Sequence, residues 1–224
     1  MPKLIVHHLQ VSQSERIPWL CEELGLDYDL KLYKRSPLAA PPEYKALHPQ
    51  GTAPVIQYGD ITLAESAACI EYICYKFADG KFFVKPSAPN YADFLYWFHY
   101  ANGTLQAGLS RGNMARLGGM EEANDIVKAF LGKIPASLEW IDSRLKDNEY
   151  LAGNELTAAD IMTMWSLTSM RYWYPYSLKD YPNIQRYVKR VSSREAYKKA
   201  LKKSDPDLEL VLGPDPPKPF AQKK

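Results

Sequence analysis

The stretch from residue 48 to residue 66 constrains the fold more than any other part of the chain. Two short apolar segments, 55–58 and 61–63, are separated by a Gly-Asp pair, and a turn of two residues joins antiparallel strands. Pro54 stands directly before the first segment, where a prolyl bond can be cis and can leave neighbouring backbone groups exposed. The sequence therefore predicts a β-hairpin that is entered through a prolyl turn.

A helix is predicted to follow this hairpin, with Glu65 and Ser66 at its N-terminus. The N–H groups and the dipole at a helix N-terminus favour a carboxylate. An extended peptide with a carboxylate at one end therefore fits across the prolyl turn and the helix start. The alternative interpretation is an ordinary hairpin with a helix cap.

The opening of the chain predicts a parallel pair of strands. Residues 3–9 and 28–33 have strand character, and the helical spacing of apolar residues in 15–24 ends at Gly25, a residue typical of a helix C-terminus. A strand–helix–strand unit of this kind makes a right-handed crossover. Together with the hairpin and a helix over 65–77, the order indicates a thioredoxin-like fold.

Beyond this unit the sequence predicts only helices. Gly80 and the two prolines Pro86 and Pro89 mark residues 81–90 as a linker. The predicted domains are 1–80, thioredoxin-like, and 91–204, all-helical, with 205–224 as a Pro- and Lys-rich tail that need not fold independently. The predicted helices of the second domain are 91–116, 121–146, 157–172, 181–192 and 194–202. Within them, Thr157 and Asp160 are expected to form a structural capping box.

Composition narrows the class of protein. The chain has 224 residues, is 46% hydrophobic and carries a net charge of +2, which gives no argument for nucleic acid or a membrane surface. No apolar run approaches the roughly 20 residues that cross a bilayer. The three cysteines, Cys21, Cys69 and Cys74, lack CxxC spacing, which argues against a disulfide framework or a zinc site. We therefore expect a cytoplasmic protein without a metal.

Four segments carry a resemblance to a known family. Residues 8–25, with the sequence HLQVSQSERIPWLCEELG, resemble the serine-type branch, found in bacteria and fungi, of the cytosolic glutathione S-transferases. Residues 48–56 resemble the family's N-P-x-G-x-x-P-x-L segment, and Glu65-Ser66 resembles its γ-glutamyl-binding pair. Residues 156–161 resemble its capping box with hydrophobic staple. The four segments occur in the family's order, so the resemblance covers nearly the whole chain.

The resemblance implies a fold and an activity. The fold is an α/β thioredoxin-like domain followed by an all-α domain. The activity is conjugation of the glutathione thiolate to hydrophobic electrophiles, or reduction of organic hydroperoxides. Glutathione is the implied cosubstrate, with neither metal nor nucleotide, and the implied assembly is a homodimer. A non-catalytic binding or regulatory protein and a glutathione-dependent isomerase or dehalogenase are the alternatives on the same fold.

The resemblance also assigns roles to residues around the glutathione thiol. Ser12 is the predicted catalytic residue, whose hydroxyl would stabilise the thiolate by hydrogen bonding. Ser14 is the rival serine, and one of the two is expected to cap the helix. Arg16 lies where an arginine often follows the serine. Cys21 lies inside a helix rather than at its N-terminus, which argues against the cysteine-type branch.

Glutathione is expected to bind through the hairpin segment. Ala53, before a cis Pro54, would pair its backbone with the cysteinyl part. Glu65 would hold the γ-glutamyl ammonium, and Ser66 the γ-glutamyl carboxylate. At positions 48 and 52 the sequence departs from the commoner Asn and Lys. His48 and Thr52 are thus included in the predicted site, with His48 or Lys45 as the contact to the glycyl carboxylate.

The second substrate is expected to meet the helical domain, which is rich in aromatic side chains with polar tips. Such side chains suit a pocket for flat electrophiles. The alternative is that half of them are core or dimer contacts. The residues predicted to line the pocket are Tyr96, Tyr100, Arg111, Met114, Trp173 and Tyr176.

Overall fold

A computed structural model describes residues 2–36, 38–120 and 124–220 of the chain. The chain divides into two compact units: the first contains Met1–Phe83 and Ser192–Glu209, and the second contains Val84–Val191 and Leu210–Lys224. The predicted domain division stays a prediction, but the packing differs from it in one respect. Residues 192–209, expected in the helical domain and the start of the tail, pack with the first unit.

The first unit contains a four-stranded mixed sheet in the order β2-β1-β3-β4. The strands are β1 (Leu4–Leu9), β2 (Tyr28–Tyr33), β3 (Val55–Tyr58) and β4 (Ile61–Ala64). β1 pairs with β2 in parallel, while β3 is antiparallel to both β1 and β4. The predicted thioredoxin-like arrangement is therefore confirmed.

The first unit also contains four helices. They are α1 (Arg16–Leu24), α2 (Pro42–Lys45), α3 (Ser66–Ala78) and, near the end of the chain, α10 (Glu195–Ser204). A short 3₁₀ turn, Gln13–Glu15, precedes α1. Gly25 ends α1 with a φ of 65°, as the sequence predicts.

The packing of α10 against α1 explains why residues 192–209 belong to the first unit. The ring of Trp19 on α1 meets that of Tyr197 edge to face, with 5.1 Å between centroids. Arg194 donates two hydrogen bonds, of 2.6 and 2.7 Å, to the carboxylate of Glu23. Periodicity alone identifies α10 as amphipathic but does not identify the unit against which its apolar face packs.

The second unit is helical in the described residues. Its helices are α4 (Tyr91–Tyr100), α5 (Ala107–Leu117), α6 (Asp125–Leu131), α7 (Lys133–Asp147), α8 (Ala158–Leu167) and α9 (Pro182–Ser192). The stretch predicted as one helix over 91–116 contains a π-helical segment, Ala101–Gln106, between α4 and α5. The helix predicted over 121–146 is two helices, and its first residues, 121–123, lie outside the described part of the chain.

Asp160 on α8 is a fully buried carboxylate that ties three segments of this unit together. It accepts hydrogen bonds from the backbone N–H groups of Leu151 and Thr157, and from the hydroxyls of Thr157 and Tyr187. Burial raises the pKa of Asp160, and these hydrogen bonds oppose the rise. The predicted capping box is present, and its carboxylate also organises the interior.

The tail is packed rather than loose over its described part. Arg171, which is buried, donates hydrogen bonds to the backbone carbonyls of Gly213, Pro214 and Asp215 at 2.6–2.9 Å. Phe220 stacks on Tyr172, with ring centroids 4.7 Å apart. Within the described ranges, no helix has both the length and the apolar character needed to cross a membrane.

Candidate functional site

Three chain segments meet at one edge of the sheet in the first unit. The register places His7 on β1 opposite Val55 on β3, and Val55 opposite Ala64 on β4. The turn after β1, the loop before β3 and the start of α3 therefore lie side by side. These three segments, which we call the edge segments, carry the residues predicted to bind or activate glutathione, apart from Arg16 on α1 and Lys45 on α2.

The turn after β1 holds both candidate serines. The Oγ atoms of Ser12 and Ser14 are 2.6 Å apart, and Ser12 Oγ also accepts the Ser14 backbone N–H at 3.2 Å. Ser12 therefore caps the 3₁₀ turn, while 5% of its surface remains exposed. Ser14 has no exposed surface and binds the Leu9 backbone N–H. The Ser14 hydroxyl thus bonds inside the protein, and its contact with glutathione stays a prediction.

Arg16 is also fully buried. Its Nη1 donates to Gln13 Oε1 and to Ser66 Oγ, each at 2.9 Å. Burial lowers the pKa of the guanidinium to about 9, an effect opposed by the charge of Glu15. Arg16 therefore connects α1 to the start of α3, and its contact with glutathione stays a prediction.

Gln13 is a site residue that sequence reasoning missed. Its Nε2 donates to the Ala53 carbonyl at 2.8 Å, while its Oε1 accepts from Arg16. One amide side chain therefore spans the loop before β3 and the helix that follows β1. The sequence signal is weak: it is a polar residue between two serines in a turn.

The loop before β3 has the predicted form. The peptide bond between Ala53 and Pro54 is cis. Thr52 is exposed and Ala53 half-buried. The half-buried His48 accepts the Gln50 backbone N–H at its Nδ1, at 3.3 Å, which gives this side chain a part in the turn itself.

The start of α3 places Glu65 and Ser66 differently. Glu65 is exposed and has a φ of 69°, a conformation that residues with side chains rarely adopt and that is found preferentially at functional sites. Ser66 is buried, accepts from Arg16, and donates to Gln13 Oε1 over a long 3.5 Å.

The three cysteines are free thiols, and all three are buried. Cys21 lies within α1, and Cys69 and Cys74 lie on α3. Burial raises the pKa of all three thiols, to about 12 for Cys69 and Cys74. Across the described residues, no group of three or more His, Cys, Asp or Glu side chains could hold a metal ion.

The residues predicted to line the electrophile pocket are dispersed within the second unit. Tyr96 stacks on Tyr100 at 5.5 Å and accepts a hydrogen bond from Trp140, in a groove of about 640 Å³ between α4 and α7. Arg111 lies in a different pocket of about 250 Å³, where its guanidinium covers the ring of Phe130. The two sets of residues therefore do not form one cavity within this unit.

The remaining predicted residues have structural partners, with one exception. Tyr100 is buried, and its hydroxyl bonds weakly to the Ser137 carbonyl. Tyr176 donates to the Ser166 carbonyl at 2.6 Å, and Trp173 lies beside Phe220 of the tail. Met114 on α5 is the exception, with 68% of its surface exposed. Tyr100 and Tyr176 therefore fit the alternative interpretation, in which part of this aromatic set packs internally.

Comparisons with known proteins agree with this architecture. The family described as "Glutathione S-transferase, N-terminal domain" matches residues 12–75, and "Glutathione S-transferase, C-terminal domain" matches residues 124–190. The chain is 32% identical over 227 residues to glutathione S-transferase 3 of Schizosaccharomyces pombe, covering 95% of this chain and 92% of that protein. It is 28% identical over 219 residues to glutathione S-transferase 1 of Saccharomyces cerevisiae, covering 88% and 93%.

A solved structure gives the same result. The crystal structure of a glutathione S-transferase from Actinobacillus pleuropneumoniae is 32% identical, with a TM-score of 0.80, and the match covers 90% of this chain and 93% of that one. A thioredoxin-like unit with a cis-prolyl loop and a helical second unit defines the class of protein. The chain belongs to the glutathione S-transferase family. Its assignment to the serine-type branch stays a prediction.

Proposed function

We propose that this chain is a glutathione transferase, which joins the sulfur of glutathione to hydrophobic electrophiles. The single observation that carries the proposal is the hydrogen-bonded connection between the three edge segments. Gln13 holds the Ala53 carbonyl, and Arg16 holds both Gln13 and Ser66. These bonds fix the proposed cysteinyl-binding loop and the proposed γ-glutamyl-binding helix start to the turn that carries Ser12. Such a site is preorganised for this tripeptide.

Binding is proposed to begin at the two ends of this connection. The Ala53 backbone pairs with the cysteinyl part, and its carbonyl, which already accepts from Gln13, has a second lone pair for the ligand N–H. The Ser66 hydroxyl donates to the γ-glutamyl carboxylate, at the positive end of α3. The exposed carboxylate of Glu65 takes the ammonium.

The glycyl carboxylate is proposed to lie near the loop after α2. His48 is half-buried there, and Lys45 is exposed, with its stem beside Gly51. The exposed Thr52 provides a hydroxyl but no charge. Lys45 is therefore the residue that can supply a full positive charge to this end of the ligand.

Ser12 is proposed as the catalytic residue because it is the member of the serine pair that keeps some exposed surface, whereas Ser14 has none. A thiol of the cysteine type has a pKa near 8.5, so most of it is protonated at neutral pH. A hydroxyl hydrogen bond to the sulfur favours the anion. The thiolate then forms the new S–C bond, and the leaving group departs with the electron pair of the bond it breaks.

The electrophile is proposed to meet the exposed surface of α5. Met114 and Arg111 are exposed there. Tyr100 and Tyr176 are left out of this proposal because their hydroxyls bond to backbone carbonyls. The enzyme is further proposed to act as a homodimer in the cytoplasm and to serve detoxification, which sedimentation analysis and cell fractionation can test.

Conjugation of glutathione to an aromatic halide tests the proposal, with an organic hydroperoxide as the second electrophile. We expect turnover by the wild type and a loss of about a hundredfold or more in kcat for Ser12→Ala. Ser36→Ala, an exposed serine outside the edge segments, is the control and should keep full activity. Glutathione binding without turnover of either substrate would favour a carrier, and full activity of Ser12→Ala would remove Ser12 from the mechanism.

A further inference from the structure

Two adjacent histidines on β1 have different surroundings. His7 bonds to the Tyr33 hydroxyl at 2.9 Å and to Gln57 at 3.0 Å. His8 points to the other face of the sheet and has no exposed surface. Its Nδ1 lies 3.0 Å from Ser14 Oγ, and its Nε2 lies 2.8 Å from the carboxylate of Asp205.

Asp205 is fixed at the end of α10. Its Oδ2 faces His8, and its Oδ1 accepts the Val11 backbone N–H at 3.1 Å. The side chain of Asp205 is 2% exposed. Ser12, Ser14, His8 and Asp205 therefore form one continuous buried chain of hydrogen bonds, which we call the relay.

The hydrogens in the relay have a defined direction. A carboxylate only accepts, so His8 Nε2 donates to Asp205, and a neutral His8 then has an acceptor at Nδ1. The Ser14 hydroxyl donates to that nitrogen at 3.0 Å in preference to the Leu9 carbonyl at 3.4 Å. Ser14 Oγ in turn accepts from the Leu9 N–H and from the Ser12 hydroxyl.

This direction has a consequence for Ser12. With His8 neutral, the Ser12 hydroxyl is the donor in the 2.6 Å pair with Ser14. In this state Ser12 presents an acceptor, not a donor, to a ligand. Ser12 therefore suits a thiol S–H first and becomes a donor to the sulfur only after protons have moved along the relay.

We propose that the relay carries the thiol proton of bound glutathione to His8. The inference rests on the proposed function. The S–H bond breaks, its electron pair stays on the sulfur, and the proton binds Ser12 Oγ. The Ser12 proton passes to Ser14 Oγ, and the Ser14 proton binds His8 Nδ1. Ser12 touches the substrate and is the catalytic residue, whereas Ser14, His8 and Asp205 position it.

The hydrogen bonds of the relay are satisfied in both states. After transfer, His8 Nδ1 donates to Ser14, Ser14 donates to Ser12, and Ser12 donates to the thiolate. Ser14 Oγ still accepts the Leu9 N–H, and Ser12 Oγ still accepts the Ser14 N–H. A thiolate and an imidazolium form together, so the site acquires no net charge in its buried environment.

Two charged groups bear on His8. Asp205 contacts it directly, at 2.8 Å from Nε2. Arg35, which follows β2, interacts electrostatically with Asp205 and donates to the Gln10 and Val11 carbonyls. The guanidinium of Arg35 thereby offsets part of the Asp205 charge while neutral His8 awaits the proton.

A proton count on the wild type tests the relay without any substitution. Glutathione binding is measured by calorimetry at neutral pH in two buffers of different ionisation enthalpy, and thiolate formation by its ultraviolet absorbance. The relay predicts that thiolate forms while the protein retains the proton, so little or none reaches the buffer. Thiolate formation with release of one proton per site would overturn the inference and leave the proposed function intact.

Variants provide the second test, with the pH dependence of thiolate absorbance as the readout. His8→Gln and Asp205→Asn should raise the pKa of the bound thiol by about one to three units and lower kcat at neutral pH. Ser14→Ala should also raise the pKa of the bound thiol. It is a smaller change, so it keeps the test available if His8→Gln or Asp205→Asn does not fold. His7→Gln is the matched control and should leave the pKa of the bound thiol unchanged.

The outcomes separate the two proposals. An unchanged pKa of the bound thiol in folded His8→Gln and Ser14→Ala overturns the relay, even where glutathione binds and turns over. If the wild type binds no glutathione, the proposed function fails and the relay fails with it. A raised pKa in both variants, with wild-type behaviour in His7→Gln, supports the relay.

Discussion

The hydroxyl of Ser66 provides a direct test of how this site holds glutathione. Ser66 Oγ accepts from Arg16 at 2.9 Å, so its own hydrogen must point to another acceptor. Gln13 Oε1 lies 3.5 Å from Ser66 Oγ. In the proposed binding mode the γ-glutamyl carboxylate accepts a charge-assisted hydrogen bond from Ser66, and Ser66→Ala removes that bond.

The magnitude follows from the type of bond that is lost. A hydrogen bond to a charged group contributes about 1.5–3 kcal/mol, and about 1.4 kcal/mol corresponds to a tenfold change in affinity. We therefore expect the Kd of glutathione to rise about 10- to 150-fold in Ser66→Ala. Because the γ-glutamyl end is remote from the sulfur, the bond is equally strong in the ground and transition states, and kcat at saturating glutathione should change little.

Calorimetric titration of glutathione, together with steady-state kinetics with an aromatic halide, measures both quantities. Thr62→Ala is the control, because Thr62 lies on the preceding strand and its hydroxyl bonds only weakly to Gln57. An unchanged Kd would refute the role of Ser66. A fall in kcat as large as the fall in kcat/KM would show that Ser66 acts on the transition state instead.

Two further predictions concern buried groups. Asp160→Ala leaves buried donors without their acceptor. We therefore expect the free energy of unfolding, measured by denaturant titration, to fall by roughly 3–5 kcal/mol. A stable but inactive variant would contradict this structural role. The three cysteine thiols are buried with raised pKa values, so iodoacetamide should leave the native protein unlabelled by mass spectrometry and fully active. Rapid labelling with loss of activity would require a thiol in the mechanism.

The buried arginine on α1 shows how the fold builds the site. Arg16 gains no contact with solvent, yet its Nη1 joins the residue that holds Ala53 to the residue that begins α3. A guanidinium suits this position because its several donors lie in one fixed plane. Its contribution to binding is therefore expected to be exerted through Gln13 and Ser66.

Local signals in the sequence determined the first half of the fold. A two-residue turn, a proline before a strand and a glycine after a helix each act over a few residues, so they predict β3, β4 and the end of α1 without knowledge of the tertiary structure. The same signals place Pro54, Glu65 and Ser66 in the edge segments. The capping box at Thr157 and Asp160 was predicted for the same reason.

Interactions between distant segments were beyond these signals. Sequence reasoning treated Ser12 and Ser14 as rivals, whereas their hydroxyls are bonded to each other. It treated the aromatic residues of the second unit as one pocket, whereas Tyr96 and Arg111 line different cavities. A residue type indicates that a side chain is aromatic or polar, but only packing decides which way it points.

The sequence by itself determined the family and the thioredoxin-like order of elements, and it predicts which residues form the glutathione half of the site. Only the tertiary structure shows which buried residues bond to the serines of the glutathione half of the site. His8 and Asp205 are 197 positions apart and meet because α10 packs on α1. An amphipathic helix indicates that it has an apolar face but not which surface will cover it. For that reason the buried environment of Ser12 could be described only from the folded chain.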